Sequence, residues 1–211
     1  MGKRSEVLSK EEAEAVSAVA KTSDRAIEAL QQFGGFLGKV FGTVPEDTIG
    51  LFGDYLRHLR IRNFSRMQQR TEEILAGRPN VEIEAVSPTI AIPLLSAAQD
   101  ESRPELQELW ARLLANAMDK NAPTIRQSYI DALKKFDPAD AVVLKTLHSR
   151  SNLSMKPEEM NNLSAAISLA PDEITVSLDR LVDLGCAHKH QAGYLTYYLL
   201  PFGRLLLNAC A

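Results

Sequence analysis

The stretch LQELWARLLANAMD, residues 106–119, constrains the fold more than any other part of this 211-residue chain. Its apolar residues recur three and four positions apart, which places them along one broad side of a helix. Such a side is buried against other elements, so the sequence predicts a mainly helical fold that packs around this segment. The residues of the stripe are Leu106, Leu109, Trp110, Leu113, Leu114 and Ala117.

Helical patterns also dominate the sequence before this stretch. Pro45 suits the first turn of a long helix, and Gly77 is a typical residue for its end. We expect an N-terminal helix and a glycine-rich segment at residues 1–44, followed by a helical domain at residues 45–135.

The pattern changes after Phe136. Three short helical segments are followed by two β-like runs, CAHKH and YLTYYLL, with QAG between them, and by a final amphipathic segment. Three helices, a hairpin and a closing helix are the layout of a winged helix. We therefore predict a mainly α fold in which an N-terminal helical domain precedes a winged-helix-like domain with a short β-hairpin at residues 136–211.

Composition narrows the classes of function. The net charge of −3 gives no overall basic field for nucleic acid or an anionic membrane. Two cysteines without a scaffold pattern fit a reducing compartment, and no uncharged run reaches the roughly eighteen residues of a spanning helix. The sequence contains no nucleophile elbow, Walker loop, dinucleotide fingerprint or paired-histidine motif. We expect a cytoplasmic protein that is not an enzyme and holds no cofactor.

The segment FGGFLGKVFG, residues 33–42, admits two interpretations. Glycines four apart share one helical face, and small residues there let a second helix approach closely, within the fold or in self-association. Alternatively its apolar residues insert into a membrane surface, with Lys39 near the headgroups. We favour the protein contact because Pro45 and the acids after it interrupt a longer apolar helix. The candidate residues of this helix-contact or membrane segment are Gly34, Phe36, Gly38, Phe41 and Gly42.

A run of arginines in the next helix is a candidate site for a partner or an anion. Arg62, Arg66 and Arg70 are four apart and share one face, suited to phosphates or to the carboxylates of another helix. In the alternative, which the acidic net charge favours, the arginines pair within the fold to acids such as Glu82 or Glu84. The full run comprises Arg57, Arg60, Arg62, Arg66 and Arg70.

The third helix of the winged-helix pattern would face DNA if the domain bound it. Its apolar residues Ile174, Leu178 and Leu181 anchor the helix, with Val182 and Leu184 beside them. The predicted outer residues include four acids and one base, which would repel a phosphate backbone. The candidate nucleic-acid contacts are Lys189 and Arg204. One lysine on the hairpin does not offset the four acids of the helix. The predicted outer residues are Asp172, Glu173, Thr175, Ser177, Asp179, Arg180 and Asp183.

Cys186, His188 and His190 alternate, so on a strand they would point to one side. Thiolate and imidazole are zinc ligands. However, no fourth ligand is evident, and Cys186 directly follows Gly185, where a small buried residue is expected. We predict no metal site here.

Four further stretches belong together: the arginine-bearing GLFGDYLRHLRIRNFSRM, the proline-containing IPLLSAAQDE, the core segment LWARLLANA and the later SYIDALKKFDPADAVVLKTL. In combination they resemble the bacterial abortive infection alpha family. The resemblance covers about residues 45–147. It implies a role in defence against phage, in which the infected cell is sacrificed or arrested, and it implies no catalytic residues.

The sequence thus favours a non-enzymatic anti-phage defence protein that acts through protein contacts, with a protein partner or as a homo-oligomer. Two alternatives remain open at this stage. One is a winged-helix transcription regulator that binds DNA. The other is a membrane-perturbing toxin that uses the glycine-rich segment and associates with the membrane surface.

Overall fold

A computed structural model of the protein describes residues 35–36, 38–40 and 58–211. Most of these residues are helical, which confirms the predicted class, and a small antiparallel sheet lies near the C-terminal end. Residues 35–36 and 38–40 are themselves helical. The remaining elements, in order, are α1 (His58–Ala76), α2 (Pro88–Asp100), α3 (Pro104–Met118), α4 (Gln127–Leu133), α5 (Pro138–Arg150), β1 (Asn152–Ser154), α6 (Pro157–Ile167), α7 (Pro171–Asp183), β2 (Ala187–Ala192), β3 (Tyr194–Leu199) and α8 (Pro201–Ala209).

Proline begins most of these helices, because its fixed backbone angle suits the first turn and its missing N–H has no partner there anyway. It is the first residue of α2, α3, α5, α6, α7 and α8. At the start of α5, the backbone N–H of Asp137 also donates to the side chain of Asp140 at 2.8 Å. At the other end of α7, Gly185 has a φ of 71°. The predicted end of this helix is therefore confirmed, since glycine adopts the left-handed conformation without strain.

Helix α3 lies at the centre of the helical packing, as its broad stripe predicts. It contacts α1, α2, α5 and α8. Its buried residues extend beyond the predicted stripe, since Ala111, Ala115 and Met118 are buried as well. A helix that is apolar around most of its circumference is typical of a position with neighbours on several sides.

The sheet has the strand order β1–β3–β2, with both pairs antiparallel. The predicted hairpin is confirmed, but its turn is tighter than expected, because Gln191 belongs to β2 and Gly193 alone, at a φ of 89°, separates the strands. Strand β1 was not predicted from the sequence. It has only one apolar residue, Leu153, which pairs with the buried Tyr197.

Several contacts cross the predicted domain boundary at residues 135–136. The buried amide of Asn116 on α3 donates to the carbonyl of Ala209 at 2.8 Å, and Arg78 donates to the oxygen of the same amide at 2.6 Å. Buried apolar side chains from Phe36 to Cys210 form one continuous cluster. The C-terminal helices and sheet are therefore joined to the helical part by packing and by the buried hydrogen bond from Asn116.

Candidate interaction surfaces

Two of the candidate arginines on α1 form ion pairs within the fold. Arg60 lies 2.5 Å from Asp100, and Arg70 donates to both oxygens of Glu108, at 2.6 and 3.0 Å, and to Glu73 at 3.1 Å. The hydrogen bond from Arg70, with a second from Arg112, lowers the pKa of Glu108 below its ordinary value. These acids lie on α1, α2 and α3, whereas Glu82, which the sequence suggested as a partner, pairs with Lys120.

The other arginines of the run have a different environment. Arg62 and Arg66 are exposed, lie four residues apart on α1, and form no ion pair with any residue that the structure describes. Arg57 lies outside the described residues. We refer to Arg62 and Arg66 as the α1 face. It presents two guanidinium groups side by side to solvent, which is a geometry that binds carboxylates or phosphates.

The glycine-rich segment is only partly described. Phe36 packs edge-on against Phe64 with ring centroids 5.9 Å apart, and the carbonyl of Val40 accepts the N–H of Val86 at 2.5 Å. Both apolar side chains are buried, so they are not free to insert into a membrane in this fold. A Cβ added at Gly38 would meet no described atom within 4 Å, so the described residues make no close helix contact with this glycine. Gly34, Phe41 and Gly42 lie outside the described residues.

Helix α7 differs from its predicted pattern at two of the outer residues. Ser177 is buried, because it lies on the same side as Ile174, Leu178 and Leu181. Arg180 turns back onto the fold, where it donates to the carboxylate of Asp137 and to the carbonyl of Lys135. The prediction that Ser177 lies on the outer surface was therefore wrong, whereas Arg180 is partly exposed but bound to the fold. The only base on the predicted outer side of α7 is used within the fold.

What remains outward on α7 is acidic and apolar. Asp172 and Asp183 are exposed and form no ion pair with a described residue, and Val176 between them is 60% exposed. We refer to these three residues as the α7 face. Val176 was not singled out from the sequence, although its position four residues after Asp172 places it on the same side of the helix.

Lys189 and Arg204, the candidate nucleic-acid contacts, lie on different elements. Lys189 on β2 pairs with Asp179 of α7 at 3.1 Å, and Tyr197 donates to the same carboxylate at 2.8 Å. The hydrogen bond from Tyr197, together with Lys189, lowers the pKa of Asp179. Arg204 is exposed on α8. The lysine that would touch a phosphate is thus already neutralised by a carboxylate.

The alternating Cys186, His188 and His190 do not form one exposed face. Cys186 precedes β2 and is buried, whereas both histidines are exposed on the strand. Burial raises the pKa of the Cys186 thiol to about 12, and the nearby carboxylate of Asp140 adds to the effect. Across the described residues, no group of three or more histidine, cysteine, aspartate or glutamate side chains is placed to hold a metal ion.

An ion network centred on Asp137 was not predicted from the sequence. Arg103, before α3, lies 2.7 Å from Asp137 on one side, and Arg180 of α7 binds the same carboxylate from the other. Partial burial of Asp137 opposes its ionisation, but the hydrogen bonds from Arg103 and Arg180 outweigh this and lower its pKa. The network fixes α7 to the turn between α4 and α5. It holds α7 so that the α7 face points outward.

The described helices include none that is both long enough and apolar enough to cross a membrane. The fold and its surfaces define a mainly helical protein in which two helix faces of opposite charge stay unpaired among the described residues.

Comparison with known proteins identifies the family. The sequence model of the abortive infection alpha family matches residues 60–210, so the chain belongs to this family. The match extends beyond the stretches that carry the resemblance and includes α5 to α8 and the whole sheet. No curated protein and no solved structure matches the chain.

Proposed function

We propose that this protein acts in abortive infection by making protein contacts in the bacterial cytoplasm, without a catalytic step of its own. The observation that carries the proposal is membership of the abortive infection alpha family over residues 60–210. In such a defence, the infected cell is arrested or dies before phage are released, and the surrounding population is protected.

Protein contact is the mode of action that the exposed charges support best. Most charged side chains that approach the core of the helical part have partners, as Arg60, Arg70 and Arg103 do. The charged residues of the α1 face and the α7 face have no ion-pair partner in the part of the chain that the structure describes, and two exposed guanidinium groups are suited to a carboxylate-bearing partner. The buried Phe36 and Val40 support a packing role for the glycine-rich segment over a membrane role.

We further propose that residues 136–211 are a winged-helix-like unit used for docking proteins. Helices α5, α6 and α7 with the β2–β3 hairpin follow the chain order of that motif. In a DNA-binding version, α7 would enter the groove, but its outward residues Asp172 and Asp183 would repel phosphates. An acidic helix with an exposed valine is better suited to a basic protein surface.

The experiment is phage challenge of bacteria that carry the gene, with a matched strain that carries the empty vector. We expect fewer plaques on the expressing strain across part of a phage panel. At low ratios of phage to cells the culture should survive, and at high ratios growth should stop or the cells should die. Unchanged plaque numbers and unchanged growth across the whole panel would contradict the proposal. Survival at the high ratio would instead indicate a defence that spares the infected cell.

Two assays with purified protein distinguish protein contact from the alternative modes of action. We expect purified protein to show no salt-sensitive binding to duplex DNA. We also expect it to release no dye from anionic vesicles. Salt-sensitive DNA binding that is lost in Lys189→Ala would favour a regulator. Dye release that changes in Gly38→Leu would favour membrane damage.

A further inference from the structure

Helix α1 carries a pair of positive charges whose spacing suits a second helix. Arg62 and Arg66 lie one turn apart, so their side chains leave the helix about 6 Å from each other. The arginines before and after them, Arg60 and Arg70, are held by Asp100 and Glu108. Among the described residues, the α1 face is therefore a short basic surface, and Arg60 and Arg70 are not available to widen it.

Helix α7 carries a face of opposite charge, and its two carboxylates at Asp172 and Asp183 lie eleven residues, or about 16 Å, apart along the helix. Asp172, Val176 and Asp183 are separated by four and seven residues, so all three lie on one side of the helix. Asp179 lies on the same side and is partly exposed, although it also binds Lys189 and Tyr197. The face is negative at both ends and apolar between them.

We propose that the α1 face of one copy docks on the α7 face of a second copy of this chain. Arg62 and Arg66 would extend in opposite directions along α7 to bind the carboxylates of Asp172 and Asp183, and their methylene stems would cover Val176 between them. The occupant is a second copy because one chain supplies both complementary faces. A nucleic acid or an anionic lipid would be attracted by the α1 face and repelled by the α7 face. The inference rests on the proposed function, for which it names the partner of the contact.

The contact is expected to be weak and sensitive to salt. One helix face laid on another buries less than the roughly 1,200 Å² at the lower end of standard interfaces. Exposed ion pairs also contribute little individually and are screened by salt. Association should therefore rise over about 10 to 100 µM protein, which corresponds to weak binding, and it should fall as salt is added.

Sedimentation velocity with charge-reversed variants tests the pairing of the two faces. Arg62→Glu with Arg66→Glu leaves two acidic faces, and Asp172→Lys with Asp183→Lys leaves two basic faces. Each variant should sediment as a monomer at concentrations where the wild type associates. Mixing the two variants should restore association, and so should a single chain that carries all four substitutions.

A matched control changes the same number of charges elsewhere. Arg126 and Arg204 are also exposed and form no ion pair with a described residue. The Arg126→Glu, Arg204→Glu variant should associate as the wild type does. Circular dichroism of every variant should match the wild type, because all the replaced side chains are exposed.

Three results would overturn the inference. The first is a wild type that stays monomeric through this range. The second is association that neither single-face variant loses. The third is loss in both variants without recovery in the mixture or in the combined chain. The protein should also be tested with vesicles that contain phosphatidylserine. If a protein that stays monomeric sediments with these vesicles, Arg62 and Arg66 bind lipid and the inference fails. None of these measurements involves phage, so failure here is separable from failure of the defence function.

Discussion

Helices α3 and α7 both have an apolar stripe, but they differ in what surrounds the rest of each helix. Helix α3 contacts four other helices and buries Trp110 to 1% exposure. Helix α7 is buried along one stripe, uses Arg180 to bind the fold, and leaves Val176 60% exposed. This difference in burial distinguishes the two helices, although both have an apolar stripe in their sequences. One helix supplies stability, and the other supplies a surface.

The largest effect should come from truncating the centre of α3. We expect Trp110→Ala to lower the free energy of unfolding by about 3 to 5 kcal/mol, because it removes a large buried side chain and leaves a cavity. The matched change on α7, Val176→Ala, should cost less than about 0.5 kcal/mol. Urea denaturation followed by circular dichroism measures both. Similar losses for the two variants would contradict the claim that α3 contributes more to stability than the exposed side of α7.

A second prediction concerns the close contact between α8 and the backbone segment that follows α7. A Cβ at Gly203 of α8 would collide with the backbone of Cys186, which cannot move as a flexible side chain could. We expect Gly203→Ala to cost about 1 to 3 kcal/mol. Gly38→Ala is the control, since no described atom lies within 4 Å of an added Cβ and the better helix propensity of alanine predicts no loss. A stable Gly203→Ala protein in the same denaturation assay would mean that α8 is not held at this point.

The ion pairs that hold α7 should contribute less to the free energy of unfolding than the side chain of Trp110 or the close contact at Gly203. Arg180→Met keeps an unbranched apolar stem but removes the guanidinium, which leaves the carboxylates of Asp137 and Asp140 without that partner. We expect a loss of about 1 to 2 kcal/mol, because the site is partly exposed and still holds Arg103. Arg204→Met should have no measurable effect on the midpoint of thermal unfolding. If both substitutions lowered the midpoint equally, the network would have no special role.

The smallest effect is the pH dependence of the Asp137 network and of the Asp179 carboxylate, which binds Lys189 and Tyr197. Asp137 and Asp179 have pKa values below the ordinary 3.8 in the folded protein, so the unfolded chain takes up their protons first as the pH falls. Their stabilisation is present above pH 3.8 and is lost below it, and each should contribute under about 1 kcal/mol because both are partly exposed. Urea midpoints in a pH series should fall less steeply in acid for Asp137→Asn than for the wild type. Equal slopes would contradict this account.

Periodic features of the sequence predicted the helices well. The spacing from Leu106 to Ala117 predicted α3, and Pro171 and Gly185 predicted the extent of α7. These signals are local, since they depend on residues within a few turns of one another. The hairpin was predictable for the same reason, because its two strands adjoin in sequence.

Features that depend on distant residues could not be predicted. Strand β1 is defined by its pairing with Tyr197 and its neighbours, more than forty residues away, and not by its own composition. The partner of Arg70 is Glu108, thirty-eight residues along the chain, and no spacing rule distinguishes it from Glu82. Sequence therefore identified the arginine run, and only the fold separates its paired members from the α1 face.

The most direct test of the account combines both faces with phage challenge. Strains should express, at matched levels, the wild type, the Arg62→Glu, Arg66→Glu variant, the Asp172→Lys, Asp183→Lys variant, and the chain that carries all four substitutions. The account predicts that each single-face variant loses protection while its fold is unchanged, and that the fourfold variant regains it. Full protection by both single-face variants would contradict the claim that these faces make the contact on which the defence depends.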